Sequence, residues 1–109
     1  MNATTKTDMT VANEILRQLG GNRFAVMTGA RSFVGAADAL HFQLPRGAKD
    51  GINAVSVKLD PSDTYTVTFR KIGTARSGYR AVVVREVSFV YADSLRGLFT
   101  STTGLYTSL

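Results

Sequence analysis

Apolar side chains recur at two different spacings along this chain, and the change of spacing predicts where helices and strands lie. Across residues 10–19, Val11, Ile15, Leu16 and Leu19 share one side of a 3.6-residue repeat, while Asn13, Glu14, Arg17 and Gln18 occupy the other. That arrangement predicts a short amphipathic helix. Thr10 is read as its N-terminal cap and Gly20 as the left-handed residue that ends it, with Gly21 loosening the exit. From Arg23 the repeat shortens to two. Phe24, Val26 and Thr28 alternate with Arg23, Ala25 and Met27 until Gly29, which predicts a first strand. Residues 30–38 read as a loop, because Gly29 and Gly35 bracket the apolar pair Phe33 and Val34.

Leu40, Phe42 and Leu44 alternate with His41 and Gln43 and stop at Pro45, which has no N–H for a strand ladder. This predicts a second strand. A turn-rich connector, residues 46–51, leads to a third in which Val55, Val57 and Leu59 share a face, so that the two form a hairpin. Asp60-Pro61-Ser62-Asp63 has Pro at the second position and side-chain acceptors around it, as a type I turn prefers. It opens the clearest strand of the chain, where Tyr65, Val67 and Phe69 alternate with Thr64, Thr66, Thr68 and Arg70. After a loop at residues 73–78, residues 79–90 are rich in β-branched side chains, and Ala81-Val82-Val83-Val84 is apolar on both faces, as in a central strand or at a bulge. Leu95, Leu98, Phe99 and Thr102 then fit one face of a closing helix, with Asp93 as a cap at its start and Gly104 at its end.

The predicted order is helix, five strands, helix. Every strand connection is too short for a crossover helix, so the strands pair as antiparallel neighbours in a meander. Each terminal helix has one apolar stripe. The expected fold is therefore α+β: an antiparallel meander sheet with the N- and C-terminal helices packed on one face and the other face open. On the open face Thr64, Thr66, Thr68 and Arg70 point outward.

Length sets one domain of 109 residues, read as a flexible polar tail at residues 1–9 and an α+β domain at 10–109. An apolar fraction of 44% with 19% charged residues is that of a folding chain rather than a disordered one. No cysteine is present, which excludes disulfides, thiolate metal sites and thiol nucleophiles and suits a reducing cytoplasm. The N-terminus lacks the apolar core of a signal peptide, and no apolar run approaches the roughly 20 residues needed to cross a bilayer. A cytoplasmic protein without a membrane partner is expected.

Charge changes the picture most. Between residues 70 and 85 stand Arg70, Lys71, Arg76, Arg80 and Arg85 without a carboxylate, which equals the formal net charge of +5. The remaining chain is balanced, with eight cations against eight anions. Guanidinium forks bind phosphate bidentately, Lys acts as a point charge, and Tyr79 beside them can stack on an unpaired base. Arg70, Lys71, Arg76, Tyr79, Arg80 and Arg85 are thus the candidate nucleic-acid-binding residues, on a hairpin of the last two strands. The competing reading is that Lys and Arg on an edge hairpin only prevent edge-to-edge pairing.

Other chemistry finds less support. Residues 29–35 lack the Gly-Lys-Ser/Thr ending of a nucleotide loop. His41 is the only histidine, without a second His or a Cys to build a metal site, and reads as a solvated strand residue. Asp60 and Asp63 belong to a turn, and the many Ser and Thr residues lack the base and orienting acid of a nucleophilic triad. A non-enzymatic protein without metal or cofactor is expected.

The string from Ile15 through Gly20-Gly21-Asn22-Arg23-Phe24 to Met27-Thr28-Gly29-Ala30 resembles a group of small uncharacterised proteins of tailed phages and prophages. The likeness extends to Asp63-Thr64-Tyr65, to Tyr91-Ala92-Asp93 and to Thr103-Gly104-Leu105-Tyr106. It implies a mobile genetic element as origin and a bacterial host cytoplasm as location, and transfers no site. The expected function is nucleic-acid binding, to DNA or RNA, through the basic hairpin. The alternatives are a module that binds and modulates a host protein, and a self-associating structural protein.

Overall fold

A computed structural model describes residues 9–45, 48–73, 78 and 80–105. Two helices, α1 (Thr10–Leu19) and α2 (Gly21–Thr28), precede five strands, β1 (Arg31–Gly35), β2 (Ala39–Gln43), β3 (Ala54–Leu59), β4 (Tyr65–Ile72) and β5 (Ala81–Val90), and α3 (Leu95–Thr103) follows. The strands form one sheet in the order β1-β2-β3-β4-β5, each antiparallel to its neighbour. This is the expected α+β meander. None of the helices among the described residues is long and apolar enough to cross a membrane.

The helices cover one face of the sheet. Ala12, Ile15 and Leu19 of α1, Phe24 of α2, and Leu95 and Phe99 of α3 bury themselves against Leu40, Phe42, Val55, Val57, Tyr65, Val67 and Phe69. Phe24 is the keystone of this layer. Fully buried, it meets Phe42 and Phe99 edge-on, with ring centroids 5.3 and 5.2 Å away and interplanar angles of 81° and 74°. Edge-to-face geometry of this kind adds about 1 kcal/mol per pair beyond the area buried.

Two expectations are corrected here. Residues 21–28 are a helix, not a strand. The apparent alternation placed Val26 inward, yet Val26 is 82% exposed, and the buried positions are Phe24 and Thr28, one helical turn apart. Thr28 seals the turn by donating its hydroxyl to the Phe24 carbonyl at 2.8 Å. Gly20 and Gly21, at φ of +126° and +61°, redirect the chain between the two helices, and Gly29 at +74° ends the second. Conversely, Arg31–Gly35 is a strand, not a loop, and supplies the first member of the sheet. A five-residue edge strand in which four residues are exposed carries too little burial pattern to announce itself.

Smaller expectations meet mixed outcomes. Thr10 is the first residue of α1, whose cap position is Met9. The Met9 side chain lies where a Cβ on Gly35 would sit, so Met9 packs against β1; the rest of the expected tail, residues 1–8, lies outside the described residues. Asp93 belongs to a single 3-10 turn, Ala92–Ser94, and the cap position of α3 is Ser94. Gly104 does end α3 in the left-handed conformation, its N–H bonded to the Thr100 carbonyl at 2.8 Å. The turn at Asp60 also forms: Asp63 N–H donates to the Asp60 carbonyl at 3.0 Å, and the Asp60 carboxylate accepts from the Thr66 hydroxyl at 2.6 Å.

Both edges of the sheet are bulged. In β1, Ser32 and Phe33 together oppose Phe42; in β5, Ser88 and Phe89 oppose Thr66, and Val84 is inserted between the partners of Phe69 and Arg70. Ser32 and Phe89 sit at φ of +57°, a conformation that costs a non-glycine residue about 1–2 kcal/mol. Such bulges twist an edge strand and interrupt its ladder, which hinders pairing with another edge.

Candidate nucleic-acid interface

A meander reverses direction at every turn, so alternate connections emerge at the same end of the sheet. The start of β1, the β2–β3 connection and the β4–β5 connection share one end. The β1–β2 and β3–β4 connections and the exit of β5 share the other. Hydrogen bonds trace the first end across the sheet. Arg31 is the partner of Gln43, Leu44 N–H donates to Asn53 (2.9 Å), Asn53 N–H to Arg70 (3.0 Å), and Gly73 N–H to Arg80 (2.9 Å).

This topology sorts the charges. Arg31, Lys49, Arg70, Lys71 and Arg80 belong to the first end, where the described carboxylate is Asp50. The opposite end carries Asp38, Asp60, Asp63 and Asp93 against Lys58 and Arg96. Among the described residues the ion pair is Arg17 with Glu14, one turn apart on α1, so no described carboxylate neutralises the cations of the first end. In that pair the hydrogen bond, more than the opposite charge, holds the Glu14 carboxyl below its ordinary value and the Arg17 guanidinium above its own. Glycines let the basic end close up. The Lys71 stem passes 3.2 Å from where a Cβ on Gly51 would be, and the Lys49 stem 3.3 Å from that of Gly104. Arg31, Asn53, Ile72 and Gly73 line a recess at this end.

The four sequence-predicted residues that are described, Arg70, Lys71, Arg80 and Arg85, do not form one patch on one face. Arg70 lies on the open face and donates to Ser56 Oγ at 3.0 Å. Lys71 follows it in the strand and faces the helix side, above Gly51. Arg85, opposite Phe69, is also on the helix side and donates to Thr102 Oγ1 of α3 at 3.0 Å. Arg80 is exposed at the entry to β5. Arg76 and Tyr79 lie outside the described residues. What joins Arg70, Lys71 and Arg80 is a shared end of the sheet, and Arg85 stands apart from it. Sequence reasoning left out Arg31 and Lys49, which come from distant segments; counting strand reversals was the signal that could have added Lys49, whereas Arg31 reaches this end only because residues 21–28 are a helix and Arg31 opens β1.

The open face is a trough rather than a flat surface. Thr68, in its centre and with no described helix above it, is only 6% exposed. One row crosses four strands through His41, Ser56, Thr68 and Glu86, each in register with the next. His41 Nδ1 lies 2.8 Å from Ser56 Oγ, and the Thr68 hydroxyl donates to Glu86 Oε2 at 2.9 Å. His41 is exposed as expected, yet it has a partner the sequence did not indicate. Thr66, Thr68 and Arg70 face this side as predicted, whereas Thr64 is buried in the β3–β4 turn against Ser62.

Compared with known proteins, the chain matches no family model, no curated protein and no solved structure.

Proposed function

We propose that this protein binds nucleic acid, with the basic end of the sheet as the phosphate-contacting surface: Arg31, Lys49, Arg70, Lys71 and Arg80. The observation that supports this reading is the segregation of charge by strand end, which leaves five described cations and one described carboxylate at the end of the sheet where Arg31 lines a recess. Guanidinium and ammonium groups gathered at one end without a carboxylate partner suit the closely spaced charges of a phosphate backbone. The four aspartates at the far end orient the molecule, because they repel the same polyanion. In the cell this would serve phage nucleic-acid metabolism or its control.

A titration of labelled DNA and RNA by fluorescence anisotropy at several salt concentrations tests the reading. Four to five phosphate contacts give a slope of about −4 for log affinity against log salt. Lys71→Ala with Arg80→Ala should flatten that slope by about two, while Asp60→Asn leaves it unchanged or strengthens binding slightly. Salt-independent binding, or none, overturns the reading. The self-associating alternative is less well supported by the geometry, since both edge strands carry a bulge with a left-handed, non-glycine residue.

A further inference from the structure

We infer that the trough on the open face receives unpaired bases, so that the ligand is single-stranded nucleic acid whose phosphates run along the basic end; this rests on the reading above. Arg70 belongs to both surfaces. One of its guanidinium nitrogens is bonded to Ser56, which restrains the half-buried group and leaves it further N–H donors. On either side of Arg70 in its cross-strand row stand Ala54 and Val83, and Ile72 follows it on the same face. A guanidinium plane ringed by small apolar side chains is a surface on which a base can stack.

The next row holds donors and acceptors for base edges: His41, Ser56, Thr68 and Glu86. The carboxylate of Glu86 suits the exocyclic amino groups of cytosine, adenine or guanine and rejects phosphate. Charge therefore sets the polarity of the bound strand, with backbone toward Arg31, Lys71 and Arg80 and bases toward His41 and Glu86. Shape excludes the duplex from this trough. Reading a duplex requires a helix or ribbon that protrudes into a groove, whereas this face is concave and its central threonine is buried. Bases that turn outward from a single strand are the convex counterpart.

Four probes separate the outcomes: a single-stranded oligonucleotide, the same strand made abasic, the matching duplex, and the single strand titrated with the His41→Ala/Glu86→Ala protein. Both substituted side chains are exposed, so the fold is retained; circular dichroism verifies this. The expected result is single-strand binding about tenfold tighter than duplex or abasic binding, and a loss of about tenfold in the double variant with the salt slope unchanged. Equal affinity for normal and abasic strands, with a salt slope near −4, overturns the base-binding trough while leaving phosphate binding intact. Loss of salt-dependent binding to every probe overturns both.

Discussion

Asn53 grips both main-chain polar groups of Ile72: its Nδ2 donates to the Ile72 carbonyl at 2.8 Å, and the Ile72 N–H donates to its Oδ1 at 2.8 Å. A side-chain amide thus stands in for a strand residue at the point where β4 leaves the sheet, directly beside the basic recess. Asn53 also anchors itself, through its own N–H to Arg70 and its carbonyl to Leu44. Asn53→Ala removes two hydrogen bonds and leaves the N–H and the carbonyl of the half-buried Ile72 without these partners. The expected loss is about 2 kcal/mol in denaturant unfolding, and nucleic-acid affinity should fall along with it because Arg70 and Lys71 lose their footing.

Arg85 tests the difference between charge in a sequence and charge on a surface. It faces the helix layer and bonds to Thr102, so Arg85→Ala should leave the salt slope of nucleic-acid binding within about 0.3 of wild type. Its cost falls on stability, about 1 kcal/mol for the lost bond to α3. Arg70→Ala should reduce the slope by about one and, since it loses a bond of the same length to Ser56, cost unfolding a similar amount. Parallel binding titrations and urea melts check the contrast.

The aromatic junction predicts the largest single effect. Phe24→Ala opens a cavity between Phe42 and Phe99 and should cost about 3–5 kcal/mol, a large part of the roughly 5–15 kcal/mol that holds a domain of this size folded. Phe24→Leu should retain the fold at a smaller cost. Denaturant midpoints, or failure of the Ala variant to show a cooperative transition, measure this.

Strain at the β5 edge can be removed. Phe89 is 74% exposed and holds φ at +57°, so its side chain contributes little burial to offset its backbone. Phe89→Gly should raise stability by about 0.5–1 kcal/mol, the relief of the left-handed conformation less the added freedom of glycine in the unfolded chain. A lower melting temperature in the variant would mean that the side chain stabilises the fold.

Tyr65 predicts an alkaline limit. Burial beneath the helices raises its phenol above the ordinary value near 10, with a hydrogen bond from Gln18 opposing in part. The neutral phenol is the form the fold holds. Its contribution is therefore complete below pH 10 and is lost as pH rises through the higher folded value. Melting temperature should be flat up to about pH 9 and fall above it, and Tyr65→Phe should show a shallower fall. Identical pH profiles for the two proteins would contradict this.

Some of the architecture was legible because local chemistry and tertiary packing agree there. The apolar stripe of α1, the strict alternation of Leu40-Phe42-Leu44 and of Tyr65-Val67-Phe69, and Gly104 after α3 each have one favourable solution, and each appears as read. Residues 21–35 were misread because their local signals are weak. The alternation at Phe24, Val26 and Thr28 also fits a helix buried on a single turn, and β1 is an edge strand with little to bury. The count of five strands survived only because one misread strand was replaced by one misread loop.

By itself, the sequence determined the fold class, since short connections between alternating segments force an antiparallel meander and two apolar helical stripes must cover one of its faces. It also determined that there is an excess of cations. Where that excess stands was decided by tertiary structure: adjacent strand residues such as Arg70 and Lys71 point to opposite faces, while strand reversal brings Arg31, Lys49 and Arg80 to a common end. Net charge is a sum that no folding changes, but a field depends on distance, and only the folded sheet sets the distances.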